Sequence, residues 1–197
     1  MTSINFPPLF VDLFTKTIGM DEQEFNLFCS QFKEMTIRKK DYYLKEGSIT
    51  HAKAYVKKGC SRHFIIDNKA KEHILFFAFE DWWLGDLESL ITGNPGKQNI
   101  QALEDMELIE ISKQDFAKME IEIPKLKRWY DVKRQPNNIA MIHRLAEVKS
   151  CTIEERYQIL INKHLEIFQR VPLLYIASYL DIEPQSLSRL RKRIMCK

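Results

Sequence analysis

Four polar side chains near the end of the sequence have a spacing that would place them on one face of a helix. Gln185, Ser188, Arg189 and Lys192 recur three and four residues apart. Gln can form two hydrogen bonds with adenine, Arg can form two with guanine, and Lys suits phosphate. With the neighbouring polar positions included, the candidate DNA-contacting residues are Gln185, Ser186, Ser188, Arg189, Lys192 and Arg193.

Two short helical patterns separated by a tight turn would position this face. Apolar residues recur at helical spacing on both sides of Asp181, which takes a turn position that needs a left-handed backbone and tolerates it. Ala177 lies where two crossing helices come closest, and Pro184 suits the first position of a helix. The pattern predicts a helix-turn-helix whose second helix enters the DNA major groove. The alternative is a helical hairpin with a solvated basic face.

Charge is distributed unevenly along the 197 residues, although the net charge is only +3. Residues 1–123 carry 15 Lys and Arg against 20 Asp and Glu, whereas residues 150–197 carry 8 against 5. The basic C-terminal part favours a polyanion, here double-stranded DNA, as the partner. No apolar run reaches membrane-spanning length and the first residues lack a signal-peptide pattern, so we expect a cytoplasmic protein without a membrane partner.

Residues suited to metal binding are few and widely spaced. The four cysteines form no CxxC pair, so reduced thiols are expected rather than a zinc or cluster site. A jelly-roll enzyme would need three or four convergent metal ligands, and His51, His63 and His73 include no HxH pair. We therefore predict no catalytic residue, no metal and no cofactor, with a cupin-like metal enzyme as the alternative.

The order of helical and strand patterns predicts an α+β protein. Phe recurs at helical spacing in residues 1–30, and β-branched and aromatic residues then alternate to about residue 112 between turn residues. Short strands at near-regular intervals predict an antiparallel, jelly-roll-like β-roll. The predicted units are the β-roll at 1–123, a long helix at 124–149 and the helix-turn-helix domain at 150–197. Capping-box spacing at Asp21 and at Thr152 predicts the start of a helix at each. Ser150 and Cys151 form the predicted hinge, and a minimal hairpin fits between Glu166 and Val171.

The long helix carries a narrow apolar stripe that predicts a self-pairing seam. Its members are Leu126, Trp129, Val132, Ile139, Ile142, Ala146 and Val148, of which Trp129, Ile139, Ile142 and Ala146 are the predicted homodimer contacts. Pro136 interrupts the stripe and predicts either a bend or the meeting of two helices. The alternative is a helix that packs only on its own β-roll.

This order of elements resembles the Crp/Fnr family of bacterial transcription regulators over nearly the whole chain. The most specific match is IASYLDIEPQSLSR, together with EERYQIL and QRVPLLYIASYL before it. The resemblance implies a homodimer that binds near-palindromic DNA through a winged-helix-type domain, with RNA polymerase and a small-molecule effector as candidate partners. Carried over by position, the base-reading residues fall on Pro184, Gln185 and Arg189. The family's charged pair is replaced by Pro-Gln here, so Arg189 alone carries over directly.

The same resemblance places an effector pocket in the segment FEDWWLGDLESLITGNPGKQNIQALED, which is similar to family members without known cyclic-nucleotide binding. Cyclic-nucleotide binders hold the sugar with Gly-Glu and the phosphate with Arg-Ser or Arg-Thr. Gly85-Asp86 stands for the first pair, and Lys97 is the only cation in the turn that should supply the second. We expect a regulator that is not gated by cyclic AMP; a cyclic-nucleotide-responsive regulator is the alternative. The candidate pocket residues are Gly85, Asp86, Leu87, Lys97 and Gln98.

Overall fold

The computed structural model describes residues 4–195, except for the side chains at 130, 131, 133–138, 140, 141 and 195. The chain consists of four consecutive blocks, of which the second is made mainly of strands and the other three of helices. The first block is helical, with α1 at Pro8–Asp12 continuing through a π-helical turn at Leu13–Thr17, followed by α2 at Glu22–Cys29. The predicted capping box opens α2, since the backbone N–H of Glu24 donates to Asp21 Oδ1 and that of Asp21 donates to Glu24 Oε2, both at 2.9 Å.

The second block is the β-roll, which confirms the predicted fold class. Its strands and its one internal helix are β1 Lys33–Ile37, β2 Tyr42–Leu44, β3 Ala52–Lys58, β4 Ser61–Ile66, β5 Glu72–Ala78, β6 Trp83–Leu84, α3 Leu87–Thr92, β7 Asn99–Ala102 and β8 Met106–Ser112. Two antiparallel four-stranded sheets result, in the orders β1-β8-β3-β6 and β2-β7-β4-β5. Small and aliphatic side chains from both sheets, including Ala54, Ala78 and Ala102, fill the space between them.

The third block leads out of the roll along a long helix. Helix α4 spans Lys113–Glu122, a 3-10 turn covers Pro124–Leu126, and α5 runs from Lys127 to Ser150. The prediction that two helices meet at Pro136 is wrong, because the backbone of α5 is one helix through that position. The residues of the predicted apolar stripe do not share one environment. Leu126 and Trp129 are buried in the core between the N-terminal helices and the first sheet.

The fourth block consists of α6 Ile153–Lys163, α7 Leu165–Arg170, α8 Leu173–Tyr179 and α9 Pro184–Met195. The second predicted capping box opens α6 at Thr152, directly after the extended residue Cys151. The sequence left room for a minimal hairpin at residues 166–171, but the structure has the helix α7 there. Between residues 150 and 195, helices are the only regular elements that the structure describes. No helix in the described part of the chain combines the length and apolar character needed to cross a membrane.

The turn between α8 and α9 has the predicted geometry. Asp181 has φ of 57°, and the backbone N–H of Ile182 donates to Ala177 O at 3.0 Å, which satisfies a carbonyl at the end of α8. Ala177 is fully buried where α8 and α9 cross. Ile182 packs against the core below the turn, as its position in the sequence indicated. The two helices therefore hold a fixed angle around a small residue.

Candidate nucleic-acid interface and effector pocket

Helix α9 presents one buried and one open face. Leu187 and Leu190 are 1% and 5% exposed, because they pack into the core that α6–α9 share. The opposite face leaves five of the six candidate DNA-contacting residues exposed, with Ser186 half-buried: Gln185, Ser188, Arg189, Lys192 and Arg193. The Arg189 side chain lies along the helix, where Nε donates to Gln185 O at 3.4 Å. The polar face thus presents amide, hydroxyl, guanidinium and ammonium groups to solvent.

Arg193 differs from the other members of this set because it already has an anionic partner. Its guanidinium forms an ion pair with Glu154 in the first turn of α6. Both side chains are at least half exposed, so the pair contributes little to stability and can exchange Glu154 for another anion. Arg193 therefore holds α9 to α6 here, whereas Arg189 and Lys192 point away from the domain.

The helix-turn-helix domain packs directly on the second sheet of its own roll. Its helices bury Phe64, Phe77 and Phe79 in one continuous apolar core that also contains Ile176 and Leu187. Burying this many large apolar side chains provides most of the attraction between the two units. Helix α9 is therefore held against the second sheet of the roll rather than attached only through residues 150 and 151.

Polar contacts fix the register of this packing. Strand β5 is an edge strand, and Ser178 on α8 accepts a hydrogen bond from Ile74 N at 3.2 Å while donating to Glu72 O at 3.1 Å. The guanidinium of Arg62 lies 4.1 Å from the centroid of the Tyr175 ring and forms an ion pair with Glu72. An edge strand leaves unpaired backbone groups, and the Ser178 hydroxyl pairs with two such groups of β5.

Arg170 forms the second polar clamp between the two units. Its guanidinium donates to Glu80 Oε2 at 2.7 Å and to Glu104 Oε2 at 2.7 Å. Hydrogen bonds from Arg170 hold the pKa of Glu80 well below its usual range, at about 2. The planar guanidinium of Arg170 donates two hydrogen bonds to each of the two carboxylates, which is the paired geometry that guanidinium favours.

The turn that precedes α9 lies against the hairpin between β4 and β5. Lys71 Nζ lies 3.7 Å from the carboxylate of Glu183, the residue before Pro184. An open cavity of about 320 Å³ separates the hairpin from α8 and the turn, and its lining includes Lys71, His73, Tyr175 and Pro184. This places a loop of the β-roll beside the first turn of the recognition helix.

The predicted effector segment is folded closely on itself. Asp86 is 1% exposed and caps α3, where its side chain accepts a hydrogen bond from Ser89 N at 3.2 Å. A Cβ on Gly96 would lie 2.3 Å from Asp86 Oδ2, so the carboxylate occupies the space directly beside the turn. Ser89 Oγ donates to Asn94 O at 2.7 Å and accepts from Thr50 N at 2.9 Å, which ties the turn to the roll.

The remaining members of the predicted pocket lie around this closed turn without converging on an open space. Gly85 has φ of 145°, and a Cβ there would meet Leu90 at 3.2 Å. Leu87 is 61% exposed, Lys97 is exposed and Gln98 is half-buried. A phosphate bound at this turn would therefore lie beside the buried Asp86 carboxylate.

The second half of α5 carries exposed apolar residues at three-residue intervals. Ile139, Ile142, Leu145 and Val148 are 53%, 64%, 57% and 46% exposed. Ala146 is also exposed, whereas Trp129 is 8% exposed and its ring lies against Trp83 and Phe116 of the same chain. The predicted contact residues therefore separate into an open group on the helix and one tryptophan inside the core.

The histidines that an enzyme would need lie apart. His63 is fully buried and stacks on Phe76 with ring centroids 4.1 Å apart, His73 pairs with Asp67 at 2.9 Å, and His51 is exposed. Burial lowers the pKa of His63 to about 3, so its ring is neutral. Within residues 4–195, no group of three or more His, Cys, Asp or Glu side chains could hold a metal ion.

Sequence reasoning missed Lys71, Ser178, Arg62 and Arg170, which link the two units. Their partners in the other unit lie between 66 and 113 residues away along the chain, since Arg170 pairs with Glu104 and Arg62 contacts Tyr175. No local pattern marks such pairs. One weak signal was present, because Ser178 and Arg170 interrupt otherwise apolar surroundings in the segment before the turn.

Comparison with known proteins supports the fold. Residues 34–120 match the cyclic nucleotide-binding domain family. The regulator CLP from Xanthomonas campestris, a c-di-GMP-responsive protein, superposes with a TM-score of 0.70 at 12% identity over 89% of this chain and 92% of its own. FixK2 from Bradyrhizobium japonicum gives 0.70 at 15% identity over 84% and 85%. The catabolite activator protein of Thermus thermophilus gives 0.55 at 16% identity over 90% and 84%. No curated protein sequence matches the chain.

Proposed function

We propose that this chain is a transcription regulator that binds near-palindromic duplex DNA as a homodimer. Residues 34–120 match the cyclic nucleotide-binding domain family, and the chain has the fold of Crp/Fnr-type regulators. The single observation that carries this proposal is the open face of α9. Leu187 and Leu190 fix the helix to its domain, while Gln185, Arg189 and Lys192 remain exposed. A major groove admits a helix with this arrangement of groups.

The roles within this face follow from the chemistry of each side chain. Arg189 is the base-reading residue, because a guanidinium can form two hydrogen bonds with guanine. Gln185 lies one turn earlier and suits adenine, while Ser186 and Ser188 suit phosphate or base edges. Lys192 and Arg193 contact phosphate, the latter after leaving Glu154. The proposal assigns no catalytic residue.

The exposed apolar stripe on α5 supports the homodimer. Isolated exposed apolar residues are ordinary on protein surfaces, but a stripe at helical spacing on one long helix suits a seam between two copies. Ile139, Ile142 and Leu145 would bury one another across a two-fold axis, with Ala146 between them on the same face. In this arrangement residues 1–123 form the sensor unit, 124–149 the dimer helix and 150–197 the DNA-binding unit.

We further propose that cyclic AMP and cyclic GMP are not the effectors. The turn at Asn94–Gly96 packs on Asp86 and is tied to Ser89, so a cyclic phosphate bound there would lie beside a buried carboxylate. Burying a negative charge beside a carboxylate is unfavourable, and Lys97 lacks the fork of donors that phosphate prefers. Another small molecule could act elsewhere on the roll.

Selection of bound sequences from random duplex DNA tests the central proposal. We expect the purified protein to enrich a near-palindrome whose half-sites are centred about 10 base pairs apart, or a multiple of that spacing. The matched control is the Arg189→Ala variant, which should lose enrichment at one position in each half-site. Recovery of random sequences by the unaltered protein would contradict sequence-specific recognition.

Calorimetry at low salt tests the proposal about the effector. Cyclic AMP and cyclic GMP should release no heat of binding, because each would place its phosphate beside Asp86. The Asp86→Asn variant is the matched control, since it removes the opposing charge and retains a group that can accept the hydrogen bond from Ser89 N. Stoichiometric micromolar binding to the unaltered protein would overturn this interpretation of the pocket.

A further inference from the structure

The hairpin between β4 and β5 ends in a rigid turn with two exposed lysines. We define the hairpin tip as residues 67–71, DNKAK. Asp67 Oδ1 accepts hydrogen bonds from Lys69 N at 2.8 Å and Lys71 N at 3.0 Å, and Ala70 N donates to Asp67 O at 2.9 Å. The remaining carboxylate oxygen of Asp67 pairs with His73 at 2.9 Å. With its acid engaged inside the turn, the tip presents two ammonium groups to solvent.

This tip lies at the end of the recognition helix that would enter the groove. Lys71 Nζ is 3.7 Å from the carboxylate of Glu183, which immediately precedes the helix, and both side chains are more than half exposed. The first residues of a recognition helix are the ones that approach base edges, so the phosphates bordering the groove pass close to this end. A lysine side chain beside Glu183 is therefore within reach of one of those phosphates.

The charges near this helix end need compensation before DNA can approach. Asp181 and Glu183 are both exposed in the turn before Pro184. Two carboxylates beside the groove would repel phosphate, and Lys71 offsets one of them. An exposed ion pair of this kind contributes little to stability, so Lys71 can exchange Glu183 for phosphate at small cost.

We propose that the hairpin tip is a second DNA-binding element, in which Lys69 and Lys71 contact the sugar-phosphate backbone beside the groove entered by α9. The proposal rests on the proposed DNA-binding function and adds a contact from the sensor unit to it. Regular strands are not described between residues 150 and 195, so a hairpin beside the recognition helix has to come from the roll. The shared apolar core and the contacts of Ser178 hold it there.

The open face of α9 distinguishes this role from an inhibitory one. If docking on the hairpin blocked DNA, the reading face would be covered in the docked arrangement. Instead Gln185, Arg189 and Lys192 are exposed. The tip lies beside the turn before the helix, where Lys71 pairs with Glu183. The tip thus extends the DNA-binding surface at one end and leaves the base-reading surface free.

The test measures affinity and its salt dependence for the Lys69→Gln, Lys71→Gln double variant of the full chain. Loss of two phosphate contacts in each subunit should weaken binding to specific and random duplexes alike, by roughly tenfold or more at 0.1 M salt. The slope of log K against log salt should fall by about four for the dimer. The matched control replaces Lys113 and Lys118 by Gln. These exposed lysines lie on α4, which covers the opposite sheet, and their loss should leave the slope unchanged.

A third variant separates phosphate contact from neutralisation of Glu183. Adding Glu183→Gln to Lys71→Gln restores affinity if Lys71 serves only to offset that acid, and this outcome would overturn the inference. Affinity that stays low supports it. Unchanged binding by the double lysine variant would overturn the inference while DNA binding stands, and tighter binding would identify the tip as an inhibitor instead. Absence of DNA binding by the unaltered protein at low salt would refute the proposed function itself.

Discussion

Arg189 and Lys192 lie one helical turn apart on the same exposed face, yet they should contribute differently to DNA binding. Replacing Arg189 with Ala should cost ~1–3 kcal/mol on the selected site and relax preference at one base pair per half-site, because a base contact is lost. Replacing Lys192 should weaken all sequences similarly and flatten the salt slope by about one. Titrations of selected and random duplexes at several salt concentrations measure both effects. Equal loss on both duplexes for Arg189→Ala would exclude a base-reading role.

His63 is a residue whose protonation opposes folding. Both ring nitrogens are buried without a hydrogen-bond partner, and burial lowers its pKa from 6.5 to about 3. A group whose folded pKa is depressed contributes stability above its unfolded pKa, and that contribution is lost as pH falls toward the folded value. The free energy of unfolding should therefore decrease between pH 6.5 and about 3.

The His63→Phe variant tests this assignment, because Phe can retain the stacking on Phe76 without polar atoms. Denaturant titrations across that pH range should show a weaker pH dependence than in the unaltered protein. The exposed His51 provides the control, and His51→Gln should leave the dependence unchanged. An identical pH profile for His63→Phe would show that other groups govern acid stability.

At the scale of elements, the open stripe on α5 is the surface through which we propose that two chains assemble. An Ile142→Glu substitution should give monomers that no longer bind the palindrome, because it would place an unpaired charge inside the seam. Sedimentation measures the outcome. Ile121 on α4 is 82% exposed and outside the stripe, so Ile121→Glu is a matched control that should remain dimeric. An intact Ile142→Glu dimer would show that the two chains assemble through another surface.

Local patterns were sufficient to predict elements with a strong period or a specific cap. The helix-turn-helix and both capping boxes follow from side chains within a few residues of one another, including the left-handed Asp181. Strand β6 has two residues and α3 has six, so neither is long enough to show a period. The π-helical turn after α1 was also missed, because its apolar spacing matches an ordinary helix.

The apolar stripe shows why a correct pattern can have two meanings. Leu126 and Trp129 satisfy the same spacing as Ile139 and Ile142, yet the first pair is buried inside the chain and the second pair is open. Periodicity identifies which face of a helix is apolar, but it does not identify what covers that face. Only the position of α5 relative to the N-terminal helices separates the two groups.

At the scale of the whole molecule, the two units share one apolar core. Phe64, Phe77 and Phe79 from the roll pack with Ile176 and Leu187 from the helix-turn-helix domain. The sequence indicated a β-roll, a long helix and a helix-turn-helix domain joined by a hinge. The contact between the roll and the last domain depends on pairs far apart in the chain and could not be predicted from local spacing. A change in the second sheet would therefore act on the position of α9 directly, as well as through the dimer helix.

Arg170 offers the clearest test of this coupling. An Arg170→Met variant leaves Glu80 and Glu104 without their shared partner and should lower the free energy of unfolding by roughly 1–2 kcal/mol, a reduced value because all three side chains are partly exposed. In this variant we expect amide hydrogen exchange to increase more in the helices α6–α9 than in the roll. The exposed Arg38 gives the control, because Arg38→Met should change neither quantity.

The acid dependence of the same variant distinguishes a lost ion pair from a general loss of packing. In the unaltered protein the pKa of Glu80 is lowered to about 2 by Arg170, so its contribution is complete above its usual value of 4.5 and disappears as pH falls through 2. Without Arg170 the folded pKa moves back toward 4.5, and stability should depend less on pH in that window. Faster exchange in α6–α9 with an unchanged acid profile would assign the coupling to the apolar core alone.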